Sequence, residues 1–195
     1  MKKIIGITGG IASGKSYVCD IIEKQGFKII DSDKISHELS KIGYPLYNAI
    51  IKEFGNDYLL DNKELDRKKL GALIFTNENE KLKLNSISHP LIINEINNQI
   101  NEINDDLIFV DVPLLYESKM ENLFNEIICV YVDRKTQIKR LMNRDNISYD
   151  YALSKISSQM SLDEKAKLAR YVIDNSDDNT QTMTLKILKK LKGEQ

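Results

Sequence analysis

The sequence contains little of several features that would assign it to a class at once. Its 195 residues include only two cysteines, Cys19 and Cys129, which are too few and too far apart for a disulfide framework or a metal cluster. No apolar run approaches the roughly 18 residues that a membrane-spanning helix needs. The N-terminus shows no signal-peptide pattern before it takes on strand character. We therefore expect a soluble, cytoplasmic protein with no membrane partner.

An excess of either charge is also missing. The chain carries 28 basic and 29 acidic residues, for a net charge of −1. A broad nucleic-acid-binding face normally shows a basic excess, so we expect no nucleic-acid partner. Arginine is scarce, with five residues against 23 lysines, and three of the five are Arg134, Arg140 and Arg144. Because a guanidinium group offers a planar fork of donors, this cluster is a candidate for binding an anion.

The order of the predicted elements indicates an α/β fold. Longer segments with helical spacing separate five short apolar segments, which are typical of buried strands. Strands joined through helices form right-handed βαβ units and a mainly parallel sheet. The five predicted strands are residues 4–7, 27–30, 107–110, 127–132 and 171–173.

The length fits one domain over residues 1–195. We assign its core to about 1–43 and 105–195, because all predicted strands fall there. Residues from about 44 to 104 show helical spacing and no convincing strand, and they form a predicted helical insertion that binds the substrate. A helical lid is predicted within about 134–169.

Residues 9–16, Gly-Gly-Ile-Ala-Ser-Gly-Lys-Ser, match the pattern G-x-x-x-x-G-K-[ST] between a predicted strand and a predicted helix. In such a P-loop, backbone N–H groups and the positive end of the following helix converge on phosphates. Lys15 is expected to neutralise β/γ-phosphate charge, and the Ser16 hydroxyl to ligate Mg²⁺. The chain is therefore predicted to bind a nucleoside triphosphate with Mg²⁺ in a three-layer P-loop NTPase fold. The predicted nucleotide-binding residues are Gly10, Ile11, Ala12, Ser13, Gly14, Lys15, Ser16 and Tyr17, with Arg140 and Arg144 from the lid.

The remaining motifs favour a kinase for a small molecule over other P-loop proteins. The nearest match to a guanine-reading Asn-Lys-x-Asp is 62–65, which has Leu65 where the carboxylate belongs. The strand at 107–111 ends in Asp111, followed by Val-Pro rather than by the second carboxylate of a motor ATPase. The small domain with a helical insertion and a late arginine cluster is typical of a small-molecule kinase.

Two acidic residues and two arginines supply the chemistry that such a kinase needs. Asp33 follows the strand next to the P-loop and is expected to accept the proton of an acceptor hydroxyl, while Asp31 or Ser32 caps the following helix. Gln137, Arg140 and Arg144 fall at i, i+3 and i+7, so they share a helix face. Arginines on a closing lid exclude water and stabilise charge on the transferring phosphoryl group. Solvated pairing of Arg144 or Arg134 with Asp145 or Asp133 is the alternative.

Five ordered motifs resemble the dephospho-CoA kinase family over nearly the whole chain. They are the P-loop with its preceding Ile7-Thr8, Asp31-Ser32-Asp33 with His37, His89-Pro90-Leu91-Ile92, the segment 111–117 (Asp-Val-Pro-Leu-Leu-Tyr-Glu), and the lid and last strand with Gln137, Arg140, Arg144, Gln159 and 172–175 (Val-Ile-Asp-Asn).

The resemblance implies transfer of the ATP γ-phosphate to the ribose 3′-hydroxyl of dephospho-CoA, giving CoA and ADP with Mg²⁺. It implies Asp33, Lys15 and Arg140 as catalytic residues. The implied acceptor-binding residues are Asp33, His37, His89, Leu115 and Glu117. A structural role in a turn or at the start of a helix is the alternative for His89, and helix capping is the alternative for Glu117. The protein is expected to be a monomer or a weak homo-oligomer.

The sequence departs from the family pattern at four positions. Ala12 replaces a glycine, Tyr17 a small residue, Lys155 an arginine and Arg170 an aspartate. Two alternative functions stay open at this point. One is a nucleoside or nucleotide kinase, and the other is a non-catalytic nucleotide-binding switch module.

Overall fold

The computed structural model describes residues 2–193, and a parallel sheet lies at its centre. The strands are β1 (Lys3–Gly9), β2 (Ile29–Asp31), β3 (Leu107–Asp111), β4 (Glu126–Tyr131) and β5 (Tyr171–Asp174). They are ordered β2-β3-β1-β4-β5 in a five-stranded sheet. β1 pairs in parallel with both β3 and β4, and β4 pairs in parallel with β5. The predicted α/β class and the five strands are confirmed.

Helices connect the strands, except that β3 passes to β4 through a loop with a short 3-10 helix at Glu121–Leu123. The first two are α1 (Lys15–Lys24) and α2 (Ser32–Leu39). The segment between β2 and β3 continues with α3 (Pro45–Phe54), α4 (Arg67–Thr76) and α5 (Glu78–Glu102). After β4 come α6 (Arg134–Asp145), α7 (Tyr149–Ser157) and α8 (Leu162–Leu168), and α9 (Thr180–Lys192) follows β5. Among the described residues, no helix is long and apolar enough to cross a membrane.

The chain divides into two compact units, each of which packs mainly within itself. The described residues up to Ile30, with those from Ile103 onward, form the first, which we call the sheet unit; Asp31–Glu102 form the second, the helical unit. α2, assigned above to the core, belongs to the helical unit because it packs against α5 and α3. The helical unit therefore begins at Asp31, before the start of the predicted insertion at about residue 44.

The core of the sheet unit has two faces because successive strand side chains alternate. On one face, Ile128 and Val130 pack with Val18 of α1 and Leu188 of α9. On the other, Cys129 packs with Leu162 of α8. Each face of the sheet is thus covered by helices, as the predicted three-layer arrangement requires.

The helical unit is built around its own apolar cluster, which includes Leu46 and Ile50 of α3 and Leu70 of α4. Pro90 lies inside α5, so the alternative that His89 stands in a turn or at the start of a helix is wrong. An interior proline costs about 3 kcal/mol of helix stability. Apolar side chains on both sides of it, Ile87 and Leu91, pack against the same cluster, and this tertiary packing outweighs the local preference.

Candidate phosphate-binding site

The P-loop runs from the end of β1 at Gly9 to the start of α1 at Lys15. No side chain caps α1, and the backbone at its N-cap residue, Gly14, has φ +84°. A side chain there would be strained, and its Cβ would meet the amide of Asn175. The uncapped N-terminus leaves backbone N–H groups and the positive helix end to serve an anion.

Ala12, which replaces a family glycine, takes a left-handed backbone conformation with φ +59°. Its methyl group and the side chain of Ile11 pack against the apolar cluster of α6 and α7, which contains Leu141 and Ile156. A non-glycine residue in this conformation carries backbone strain. The packing of its methyl group against these helices is the stabilising contact that accompanies this strain.

Two glutamines hold Ile11 of the loop. Gln137 of α6, which is buried, donates through Nε2 to the Ile11 carbonyl at 2.8 Å. The Ile11 backbone N–H donates to Oε1 of Gln159, at 2.9 Å, from the segment between α7 and α8. The predicted lid is therefore bonded to the loop at both backbone groups of one residue.

Asn175, directly after β5, holds the next part of the loop. Its Nδ2 donates to the Ser13 carbonyl at 2.8 Å, and its Oδ1 accepts from the Thr180 hydroxyl at 2.8 Å. Arg140 donates through Nη2 to the Asn175 carbonyl at 2.8 Å. The other terminal nitrogen of Arg140 lies 3.7 Å from the position that a Cβ on Gly14 would take. The structure thus brings Arg140 beside the loop.

Lys15 forms an ion pair with Asp111, the last residue of β3, and both side chains are largely buried. The same carboxylate lies 3.8 Å from Sγ of Cys19, one helical turn after Ser16. Burial raises the pKa of the Cys19 thiol to about 12, and the charge of Asp111 adds to this rise. Cys19 is therefore a neutral packing residue at neutral pH.

A second ion pair lies where β1 and β3 end. Nζ of Lys165, on α8, is 2.9 Å from Oε1 of Glu117 and donates to the Pro113 carbonyl at 2.8 Å and to the Gly9 carbonyl at 3.4 Å. The Lys165 residue is completely buried. Glu117 Oε1 also accepts from the Met160 backbone N–H at 3.0 Å.

Three further site candidates lie in the sheet unit. Arg144 pairs with Asp145 and is more than half exposed, which matches the solvated pairing given as its alternative, and its contact with ATP stays a prediction. Hydrogen bonds from Arg144 and Lys155 lower the pKa of Asp145 to about 2. The side chain of Leu115 is completely buried in the core, and its part in acceptor binding stays a prediction. Tyr17 is exposed on α1.

In the helical unit, the acceptor candidates lie on helices. Asp33 and His37 are exposed on α2. Asp31 caps this helix as expected, accepting from the backbone N–H groups of Asp33 at 2.9 Å and Lys34 at 3.0 Å. His89 is partly buried in α5, and desolvation lowers its pKa below 6.5.

One topological expectation is corrected. The strand that ends at Asp31 was expected to be the neighbour of the P-loop strand, but β3 lies between β2 and β1. The carboxylate at the end of the strand beside β1 is therefore Asp111. Connection order does not reveal this arrangement, because in this sheet the chain passes to β2 at the edge before it returns to β3.

The site contains five residues that their sequence motifs did not assign to it: Asp111, Gln137, Gln159, Lys165 and Asn175. Four of them lie within motifs that carry the family resemblance, and Lys165 does not. Because these residues lie far from the P-loop in sequence, no local pattern predicts their contacts with the site. Lys165 has no distinguishing signal in the sequence. The chain contains 23 lysines, and a single lysine in a helix has the pattern of a solvated residue.

Comparison with known proteins agrees with the geometry. A family model described as dephospho-CoA kinase matches residues 3–181. A dephospho-CoA kinase of Carboxydothermus hydrogenoformans is 47% identical over 194 residues, covering 97% of this chain and 94% of the relative.

The chain belongs to the dephospho-CoA kinase family. Among solved structures, the dephospho-CoA kinase from Campylobacter jejuni is 32% identical with a TM-score of 0.71, covering 99% of each chain. The structure of TT1252 from Thermus thermophilus is 25% identical with a TM-score of 0.85, covering 98% of this chain and 97% of the other. The family membership predicted from five sequence motifs is confirmed, and both structures share the fold over nearly the whole chain.

Proposed function

We propose that this protein is an ATP-dependent kinase that phosphorylates the ribose 3′-hydroxyl of dephospho-CoA, giving CoA and ADP, the last step of coenzyme A biosynthesis. Family membership over residues 3–181 carries the choice of substrate. The observation that carries the donor chemistry is the assembled P-loop, with Lys15 and Arg140 beside it. A non-catalytic switch module is a poorer fit, because the relative from Carboxydothermus hydrogenoformans and the solved structure from Campylobacter jejuni are both named dephospho-CoA kinase.

The P-loop binds the triphosphate of ATP. Backbone N–H groups at the uncapped start of α1 donate to phosphate oxygens, and Lys15 leaves its partner Asp111 to neutralise β/γ charge. Arg140, held by the Asn175 carbonyl, adds a guanidinium fork to the charge that develops during transfer. Lid closure over the phosphates would exclude water and so suppress hydrolysis of ATP.

The donor set at the start of α1 fits Mg²⁺. Ser16 offers a hydroxyl and Asp111 offers a carboxylate, and Mg²⁺ prefers one or two such oxygen ligands together with water and substrate phosphates. We propose that these two residues hold the ion. When bound, Mg²⁺ neutralises phosphate charge as a Lewis acid.

Asp33 is the proposed general base. Its carboxylate is exposed at the start of α2, where the Asp31 cap fixes the first helical turn. A carboxylate in hydrogen-bonding reach of the acceptor hydroxyl takes its proton as the oxygen attacks the γ-phosphorus. We assign His37 and His89 of the helical unit to acceptor binding. The protein is proposed to work in the cytoplasm as a monomer or a weak homo-oligomer, and its two cysteines are free and buried.

The test is an ADP-release assay with ATP and Mg²⁺, in which the acceptor is varied. Dephospho-CoA should give rapid turnover, while nucleosides, nucleoside monophosphates and buffer alone should give only background. Turnover with a nucleoside or nucleotide but none with dephospho-CoA would replace the proposal with the nucleotide-kinase alternative. ATP binding without turnover on any acceptor would favour a switch module.

A further inference from the structure

We propose that the buried Lys165–Glu117 ion pair positions the P-loop for ATP, and that Glu117 therefore serves nucleotide binding rather than acceptor binding. This inference rests on the proposed kinase function. Lys165 and Glu117 are positioning residues in this scheme, because they act through the loop.

The burial of Lys165 needs an explanation. Lys165 is 0% exposed, and lysines are almost never fully buried unless they are paired. The ammonium group has three acceptors, namely the Glu117 carboxylate and the carbonyl oxygens of Pro113 and Gly9. A buried ion pair is weak evidence for stability, because apolar side chains of similar volume are often as stable. The role of the pair therefore lies in the backbone positions that it fixes.

That geometry leads to the P-loop by two routes. On the first, Lys165 bonds directly to the carbonyl of Gly9, where the loop begins. On the second, Glu117 accepts the N–H of Met160, whose neighbour Gln159 accepts the N–H of Ile11. The ion pair thus fixes the loop at its first residue and at its third.

The Pro113 carbonyl strengthens the first route. It accepts from Lys165 and also from the Thr8 hydroxyl, at 3.0 Å. Thr8 is the residue of β1 before the loop, and it is completely buried. One network of hydrogen bonds around the Lys165 ammonium group therefore joins three segments: α8, the end of β1 and the segment after β3.

The surroundings of both carboxylate oxygens of Glu117 are evidence against a contact with the acceptor. Oε1 is occupied by Lys165 and Met160. Oε2 is buried, and it forms no hydrogen bond with any residue in the described range 2–193. A substrate hydroxyl would reach either oxygen only if the network opened.

The experiment compares the variants Glu117→Gln, Lys165→Met and their combination with Lys167→Met, in which an exposed lysine of the same helix is changed. ATP affinity is measured by calorimetry without acceptor, and KM is measured for ATP and for dephospho-CoA separately. Thermal unfolding is followed for all variants.

We expect Glu117→Gln and Lys165→Met each to weaken ATP binding and raise the KM for ATP by about tenfold, which corresponds to about 1.4 kcal/mol. The KM for dephospho-CoA should change by less than about twofold, because neither substitution affects the contacts that bind dephospho-CoA. The double variant should unfold at a higher temperature than Lys165→Met alone, because it leaves no unpaired buried carboxylate. Lys167→Met should match the wild type.

An increase of the KM for dephospho-CoA in Glu117→Gln, with ATP affinity intact, would overturn the inference and restore the acceptor role. Unchanged ATP affinity in all three variants would also overturn it, leaving the pair a stability element only. Glu117→Gln is nearly isosteric, so its result decides even where Lys165→Met does not fold. Failure of the wild type to bind ATP would instead contradict the proposed function.

Discussion

The sheet unit and the helical unit hold their functional residues in different ways. Side-chain bonds to the P-loop join residues far apart in sequence: Gln159 with Ile11 across 148 positions, and Asn175 with Ser13 across 162. In the helical unit, Asp33 lies at an exposed position of α2, and the cap of this helix, Asp31, is two positions away. The donor site is thus held by side-chain bonds between distant residues, whereas the cap that fixes the turn carrying the proposed base is local.

This difference predicts separable effects of mutation. Changes at the residues that bond to the P-loop in the sheet unit should alter ATP binding, the geometry of the loop and the stability of the fold together. A change at the exposed proposed base of the helical unit should alter catalysis while ATP binding and stability remain. The predictions that follow test this separation, beginning with the largest expected effect.

Asp33→Asn should lower turnover by about 10²–10⁴-fold, because a positioned general base contributes that much. ATP affinity should stay within about twofold, since the carboxylate belongs to acceptor chemistry. Steady-state kinetics and calorimetry measure the two effects. Asp61→Asn, at an exposed position of the same unit, is the matched control and should be neutral. A large loss of ATP binding in Asp33→Asn would make Asp33 a metal or structural residue.

Arg140→Lys keeps the charge but removes the guanidinium fork that bonds to the Asn175 carbonyl. Turnover should fall by about 10²-fold, the scale for loss of one transition-state donor. The matched control is Arg134→Lys in the same helix, where the arginine is exposed and donates to Ser157 at 3.1 Å. Turnover near that of the wild type in Arg140→Lys would contradict the proposed lid role.

Gln137→Leu should lower the free energy of unfolding by about 1–3 kcal/mol, because it leaves the Ile11 carbonyl without its buried donor. Gln99→Leu is the counterpart in the helical unit, where the amide bonds to Glu95 four positions away. That change should cost less than about 0.5 kcal/mol, as is usual outside buried networks. Denaturant unfolding measures both, and equal costs would remove the contrast between the units.

The helical unit should show a small dependence of its stability on pH through His89. Burial lowers the pKa of this imidazole below 6.5 in the folded state, so the unfolded chain binds the proton more readily. Stability is therefore full above pH 6.5 and is lost as the pH falls from 6.5 through the folded pKa. Thermal unfolding between pH 7.5 and 5.5 measures this loss, which should be smaller in His89→Gln. An equal loss in that variant would assign the effect to other groups.

Local signals in the sequence predicted most of the fold. The strands, the P-loop and the Asp31 cap each depend on neighbouring residues, and the structure contains all of them. The interior position of Pro90 could not be predicted, because packing of Ile87 and Leu91 overrides the local preference of proline. The place of α2 in the helical unit likewise depends on its packing against α5.

The sequence predicted the site less completely, for a related reason. Lys15 and Arg140 were found because their motifs or their scarcity mark them. Lys165 was missed, since its function depends on burial between Gly9 and Pro113, and burial of one lysine leaves no pattern in the sequence. Leu115 is a candidate for acceptor binding because it lies in a motif, and the structure buries its side chain in the core.

The central claim is that the protein transfers the γ-phosphoryl group of ATP to the ribose 3′-hydroxyl of dephospho-CoA. Phosphorus NMR of the products, with ATP, Mg²⁺ and dephospho-CoA present, tests it most directly. The account predicts equal amounts of ADP and of a new phosphomonoester whose phosphorus couples to the ribose H3′. A phosphate at any other position of the acceptor, or ADP that forms with no phosphomonoester, would contradict it.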